Sequence, residues 1–384
     1  MKFLIFGAGA TGRGHLGQLL YEENAGIEIV FIDKDADLVG ALNKKVSYTV
    51  ELLKVGGVPG RVCDVTGIKA LHRSDEDKII GAFCDAEVVL TAVIAENLDD
   101  IAEIIVKGIA ERHKRRNYNP LNIICCENLN NASSYLKSTA YRQMNGDLIK
   151  YCDQTIGFPD AMISRVVPVP GDPLHMLTED YNEWVVDKKN FTGEPFNLRC
   201  MDVADNLPAR LEKKLWIHNG GHAALAYAGF LKNYKYIHEA LADTELADFT
   251  GAVLNEIGNC VIHKHGFAEN DVREYEADLG RRGAIAELKD DISRVARNPI
   301  RKLNISDRLL APALYAHKNG LSINNLLTAI VNATKYYSES DEESLAMHRI
   351  IKESGFKHFI YETLSLKTEP GLAEKIIETG GRLK

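Results

Sequence analysis

The chain has 384 residues, 45% hydrophobic and 26% charged, with a formal net charge of −8. These proportions exclude disordered and collagen-like classes, and the acidic balance argues against nucleic acid or an anionic membrane as the main partner. A small-molecule ligand is the expectation, and the length suggests two or three domains. The seven cysteines are scattered without a CxxC pair, which fits a reducing compartment. No run approaches the roughly 18 apolar residues of a membrane span, so the sequence reads as cytoplasmic.

The first elements alternate in type. KFLIF (2–6) reads as a strand, GHLGQLLYEE (14–23) as a helix, IEIVFI (27–32) as a strand and ADLVGALNKK (36–45) as a helix. EVVLTAV (87–93) and LNIICCEN (121–128) continue the strands around a long helix, NLDDIAEIIVKGIAERHKRR (97–116). Strands apolar on both faces, separated by amphipathic helices, predict a doubly wound parallel α/β sheet. Residues 157–200 turn Pro- and Asp-rich, which predicts added, antiparallel strands leading to a linker. Beyond about residue 204 only helical spacing remains, with several runs ended by Gly. The predicted organisation is a Rossmann-type domain over 1–195 and an all-α domain over 196–384.

Directly after the first strand comes GAGATGRG, with Gly7, Gly9 and Gly12 in the GxGxxG register. In a strand-turn-helix context Gly7 makes the tight turn, Gly9 lets backbone approach a pyrophosphate and Gly12 lets the helix pack on the strand. The second strand ends in Asp33, where an acid would meet ribose hydroxyls and repel a 2′-phosphate, favouring NAD over NADP. Lys34 beside it weakens that preference, and FAD or an ordinary glycine-rich turn are the alternatives. Gly7, Ala8, Gly9, Ala10, Thr11, Gly12 and Asp33 are the predicted cofactor residues. Thr91 and Ala92, at the carboxyl edge of a later strand, are expected to add backbone contact.

The stretch KKLWIHNGGH (213–222) contains Lys214, Asn219 and His222 in the pattern Lys-x4-Asn-x2-His. A desolvated lysine could take an alcohol proton while an asparagine amide donates to the developing alkoxide and a histidine orients a neighbouring hydroxyl. The plain alternative is a helix end with a solvated Lys213/Lys214 pair. His218 and His222 also stand four apart, as zinc-binding histidines do, but no Glu lies between them as HExxH requires and no third ligand is evident. No metal site is predicted.

GAGATGRG, LNIICCEN, SRVVP, DPLHMLTEDYNEWVVDKKNF, the Lys-x4-Asn-x2-His set and LKDDISRVARNPIRKLNISDRLLAPAL occur in order from residue 1 to about 335. Together they resemble the polyol-specific long-chain dehydrogenases. The resemblance implies a zinc-independent NAD enzyme that moves a hydride between cofactor and sugar, interconverting mannitol 1-phosphate and fructose 6-phosphate. It implies Lys214 as general acid/base, Asn219 and Asn128 on the reacting oxygen, and His222 on substrate. Family members typically carry Asp-Arg where this chain has Ser164-Arg165, so no acid acts there and Arg165 reads as structural. Reductases of sugar acids such as tagaturonate or fructuronate, dehydrogenases of unphosphorylated polyols, and an NAD-sensing regulatory protein are the rival readings.

A sugar phosphate needs an anion clamp, for which RKLNISDR offers Arg301, Lys302 and Arg308. Pairing of Arg308 with a nearby acid and solvation of Lys302 is the equal alternative. Asp187 and Lys188 read as a structural turn, and ERHKRR (112 to 116 and the preceding Glu111) as a solvated helix end complementing the dipole. Cys125 and Cys126 read as buried strand residues, not nucleophiles.

Overall fold

The computed structural model describes residues 1–23, 26–54 and 60–383. The chain divides into two units, one running to Arg210 and one starting at Leu211. Among the described residues the strands are β1 (Lys2–Phe6), β2 (Glu28–Asp33), β3 (Ser47–Leu53), β4 (Arg61–Thr66), β5 (Lys69–His72), β6 (Val88–Thr91), β7 (Leu121–Cys125), β8 (Ile156–Gly157), β9 (Ala161–Ser164), β10 (His175–Glu179), β11 (Glu183–Asp187) and β12 (Asp202–Ala204). The main sheet has the order β5-β2-β1-β6-β7-β8, and its pairings are parallel.

The central strand shows why the sheet is buried on both faces. Successive side chains on a strand point to opposite sides, so Phe3 and Ile5 enter one apolar core and Leu4 and Phe6 the other. The helix Leu98–Lys114 closes one face through Ile101, Ile104, Ile105 and Ile109, a stripe at helical spacing. Its end is solvated at Lys114, Arg115 and Arg116, as expected from ERHKRR, and departs from that reading at Arg112. Arg112 is buried and donates to the carbonyls of Cys84 (2.9 Å) and Asn119 (2.6 Å), because the last turn packs on the loop before β7. The helix Ala36–Lys45 is capped by Asp35, whose carboxylate accepts from Asp37 N and Leu38 N at 3.0 Å.

Two smaller sheets complete the first unit. β3 and β4 form an antiparallel pair absent from the sequence reading, and β10 joins β3 in parallel. β11 pairs antiparallel with β9 and parallel with β12. The added strands are therefore mixed in direction, where antiparallel ones were expected. β12 extends the first unit beyond residue 195, since its hydrogen bonds are made to β11.

In the second unit the 22-residue helix Thr244–His265 packs against Gly221–Leu231 and Asn324–Thr334 around one apolar core. Among its described residues the extended pairing is a single bridge, Tyr236 to Asp291. No described helix is long and apolar enough to cross a membrane.

Candidate active site

The turn after β1 is shaped by positions where a Cβ cannot fit. Gly7 has φ +99°, and a Cβ on it would lie 2.4 Å from the carbonyl oxygen of Ala92. One on Gly12 would lie 1.9 Å from the Gly7 carbonyl oxygen, yet one on Gly9 would meet nothing within 4 Å. The open space over Gly9 belongs to a cavity of about 400 Å³ that Gly7, Ala10, Thr11, Asp33 and Ala92 also line. Backbone can therefore approach a ligand there, as a pyrophosphate requires.

Asp33 does more than stand at the strand end. One carboxylate oxygen accepts from Ala8 N (2.7 Å) and the other from Asp35 N (3.0 Å), tying β2 to the glycine turn. Ala8 and Gly12 are buried outside the cavity lining, and Gly12 starts the π-helical segment Gly12–Gly17 after a helical start at Ala10 and Thr11. Arg13 within that segment is buried, donates to the carbonyls of Ala8 and Pro173, and stands 5.8 Å over the Tyr48 ring. Burial lowers its pKa. Arg13 was quoted in the motif but given no role by sequence reasoning. Arg73 and Asn97 also line the cavity without having been foreseen; a basic residue directly after β5 was the available signal.

At the neighbouring strand ends the side chain of Thr91 is turned away from the cavity. Its hydroxyl donates to Glu127 (2.8 Å), whose other oxygen accepts from Val93 N (2.9 Å). Burial raises the Glu127 carboxyl pKa against the lowering effect of these bonds. Asn128 follows immediately and is exposed. The thiols of Cys125 and Cys126 are buried and pushed up by desolvation, which suits packing and not nucleophilic attack. Arg165 donates to Gln18 (2.6 Å), Gly14 O (3.1 Å) and Tyr181 O, and burial brings its pKa down to about 10. Asp187 caps a short turn through Lys189 N at 3.0 Å.

In the second unit KKLWIHNGGH spans a change of helix type. Lys213 ends the α-helix Leu207–Lys213, Lys214–Gly220 is π-helical, and the α-helix Gly221–Leu231 follows. A π-helix bonds residues five apart, so Lys214 and Asn219 come onto one side of the turn, which an unbroken α-helix would not achieve. The two glycines permit it: a Cβ on Gly220 would lie 2.7 Å from Arg308 O, and one on Gly221 would lie 2.4 Å from Leu254 Cδ2. The lysines are not a solvated pair. Lys213 is buried, with Nζ 4.0 Å from the Tyr275 ring centre and 5.6 Å from that of Phe267.

The two histidines are held in different surroundings. Burial, then the charges of Arg282, His222, Lys214 and Arg308, keeps His218 well below the usual imidazole range and so neutral. His222 Nε2 instead lies 3.0 Å from Asp290 Oδ2. Burial opposes ionisation of Asp290, but His222 and Arg294 outweigh it and bring the carboxyl down to about 2. The histidine rings are 5.8 Å apart. Among the described residues no group of three or more His, Cys, Asp and Glu side chains is placed to hold a metal.

The three basic residues expected to clamp an anion differ in exposure and partners. Arg308 stands beside the π segment through its contact with Gly220, and its Nε donates to Asp307 at 2.7 Å. Lys302 is neither solvated nor open to a ligand: it is 4% exposed and donates to the Val295 carbonyl. Burial, then Arg308, Arg301 and Arg297, lowers its pKa to about 7. Arg301 is exposed, its backbone N–H donating to Glu343 at 2.9 Å.

A six-stranded parallel sheet in Rossmann order, a glycine turn opening on a cavity, and a helical second unit with a lysine-bearing π turn define a Rossmann-type α/β protein with an appended helical unit. The family model of the mannitol dehydrogenase Rossmann domain matches residues 1–199 and that of the mannitol dehydrogenase C-terminal domain residues 206–371. The chain belongs to the mannitol dehydrogenase family and is an oxidoreductase of that type. It is 34% identical to a mannitol-1-phosphate 5-dehydrogenase of Streptococcus mutans over 98% of both chains. Against the enzyme of that name from Lactiplantibacillus plantarum it is 35% identical, over 95% of this chain and 94% of the relative. Two solved structures share the fold at 16% identity and a TM-score of 0.76. One is Pseudomonas fluorescens mannitol 2-dehydrogenase in ternary complex with NAD and D-mannitol, covering 100% of this chain and 92% of that one. The other is a substrate-free D-sorbitol dehydrogenase, covering 97% and 94%.

Proposed function

We propose that this protein is an NAD-dependent dehydrogenase interconverting mannitol 1-phosphate and fructose 6-phosphate, with Lys214 as its general acid/base. The observation that carries the reading is the π turn, which gathers Lys214 and Asn219 on one side and delivers His222 to the first turn of the next helix. The likeness to mannitol-1-phosphate 5-dehydrogenases along nearly the whole chain supports the substrate.

The residues at the glycine turn fit a dinucleotide: space is open over Gly9, and Asp33 closes the ribose end. Gly7, Gly9, Ala10 and Thr11 would face the pyrophosphate, with Ala8 and Gly12 shaping the turn behind them, Asp33 would face the adenosine ribose, and Ala92 lines the cavity while Thr91 supports the edge from behind. NAD bound there supplies the two-electron acceptor. Lys214 takes the proton of the substrate hydroxyl during oxidation and returns it to the carbonyl oxygen during reduction. The Asn219 amide, with Asn128 in the role the family gives it, donates to that oxygen as charge develops. His222 meets a neighbouring hydroxyl. Of Arg301, Lys302 and Arg308, the phosphate is assigned first to Arg308, because Arg301 lies on the surface and Lys302 on a backbone carbonyl.

The test is NADH oxidation with fructose 6-phosphate, fructose, tagaturonate and fructuronate side by side. Fructose 6-phosphate is expected to be turned over fastest. Activity confined to the two acids overturns the substrate, and NADH binding without turnover of any of the four overturns the enzyme reading.

A further inference from the structure

His222 does not hold its orientation by packing alone. Its Nε2 lies 3.0 Å from Asp290 Oδ2, with the two side chains 16% and 12% exposed. The carboxylate is itself fixed from several directions. Lys289, just before it, is left-handed at φ +46°, and the Asp290 carbonyl accepts from Ile237 N at 2.9 Å. Ile292 N donates to Lys235 O at 2.9 Å, and Asp291 caps the helix Ile292–Ala296 through Ser293 N at 2.7 Å. Arg294 grips the other carboxylate oxygen through Nε at 3.0 Å. A carboxylate this constrained, ionised at any working pH, is a stationary acceptor for one particular nitrogen.

We infer that Asp290 is a positioning residue that acts through His222, fixing the face and tautomer of the imidazole that meets the substrate. The inference rests on the substrate-contacting role proposed above for His222. An imidazole nitrogen facing a carboxylate carries the hydrogen, so Asp290 keeps hydrogen on Nε2 and leaves Nδ1 to meet a substrate hydroxyl. Reversal of the ring would break that bond and turn Nδ1 toward the carboxylate. Carboxylates behind functional histidines act in the same way at metal and hydrolytic sites, by orientation and not by reacting. His218, four residues earlier, shows the contrast: its Nδ1 faces Arg282 at 3.3 Å, and burial keeps it neutral.

The test is steady-state kinetics of Asp290→Ala and Asp290→Asn, each made in the wild-type and His222→Ala backgrounds, with NADH binding and unfolding temperature measured alongside. Asp290→Ala is expected to lower kcat/KM for the sugar substrate about 30-fold, mainly through KM, with NADH binding unchanged. Asp290→Asn keeps the shape, but its one carbonyl oxygen is held by Arg294 and its NH2 is left facing Nε2, so the tautomer reverses and kcat/KM is expected to fall by about 10-fold or more. Both effects should vanish in the His222→Ala background, which a merely structural aspartate would not produce. An additive loss in the double variant overturns the inference, as does an Asp290→Asn loss smaller than about 10-fold. Should Asp290→Ala unfold, the asparagine variant carries the decision by that same limit. If His222→Ala alone loses activity and Asp290→Ala does not, the inference fails while the reading of His222 stands. If His222→Ala is as active as wild type, that reading fails first.

Discussion

At the turn after β1, what matters is where side chains are missing; along Lys214–His222, what matters is which side chains are present and how the helix phases them. The first region is built from backbone, with Gly7 and Gly12 pressed against carbonyls and Gly9 facing open space. The second carries a lysine and an asparagine on a π segment with a histidine just after it, Asp290 lying on the histidine and the Arg308 carbonyl against Gly220. A backbone-built site writes its requirement into the spacing of glycines. A side-chain-built site writes only its residue types, and their partners are set by the tertiary fold.

The sharpest way to break this comparison is Lys214→Ala. Turnover should fall by at least about 100-fold, the low end for lost acid/base catalysis, with NADH binding little changed by fluorescence titration. Near-wild-type turnover removes Lys214 from the mechanism.

Glycine substitutions probe the other region and should divide by position. Gly12→Ala places a methyl in the Gly7 carbonyl, so both NADH affinity and unfolding temperature should drop, the affinity by about 10-fold or more. Gly9→Ala meets no protein atom, so its unfolding temperature should be unchanged while NADH binding weakens. Equal thermal loss in the two variants would mean that the space over Gly9 is not reserved for a ligand.

Lys302 offers a pH test in the second unit. Its pKa is lowered to about 7 in the folded chain, against about 10.4 when unfolded. The unfolded chain therefore binds the extra proton between these values, and stability rises with pH across that window. Relative to Lys302→Met, the wild type should gain about 2 kcal/mol between pH 7 and pH 9 by urea unfolding. Parallel pH profiles for the two proteins would contradict the buried placement of the amine.

The smallest effect is expected at Thr91→Val. Loss of the hydroxyl leaves the buried Glu127 carboxylate short of a donor and should cost about 1–2 kcal/mol in unfolding free energy. A change in NADH affinity at unchanged stability would instead place the hydroxyl on the cofactor.

Much of the first unit was legible because its signals are local. The two-sided apolar strands, the glycine register, Asp33 and the stripe from Ile101 to Ile109 each follow from a few neighbouring residues. β3 was not read, although its burial alternates along SYTVELL. One of its partners, β4, is close in the chain, but the other, β10, lies more than 120 residues later. Arg112 looked like part of a solvated basic end because its acceptors, Cys84 O and Asn119 O, cannot be inferred from composition. NGG argued against a regular helix, which is correct for an α-helix. Only the close approach of Arg308 and Leu254 to Gly220 and Gly221 shows why the chain stays helical there with a wider turn. Lys302 was misplaced for the converse reason: charge suggests solvent until a backbone carbonyl and three arginines are found around it.

The widened turn at Lys214–Gly220 also explains how two adjacent, chemically identical lysines come to differ. An α-helix advances about 100° per residue, so one surplus residue shifts the phase of everything before it against everything after. Upstream of the shift, Lys213 is wedged among aromatic rings, while Lys214 opens the π segment and is only half-buried. Deleting one of residues 215–218 would shorten the Lys214–Asn219 spacing from five to four and re-phase Lys214 against Asn219 and His222 with all three side chains kept. The inherited quantity at this point in the molecule is a count as much as an identity.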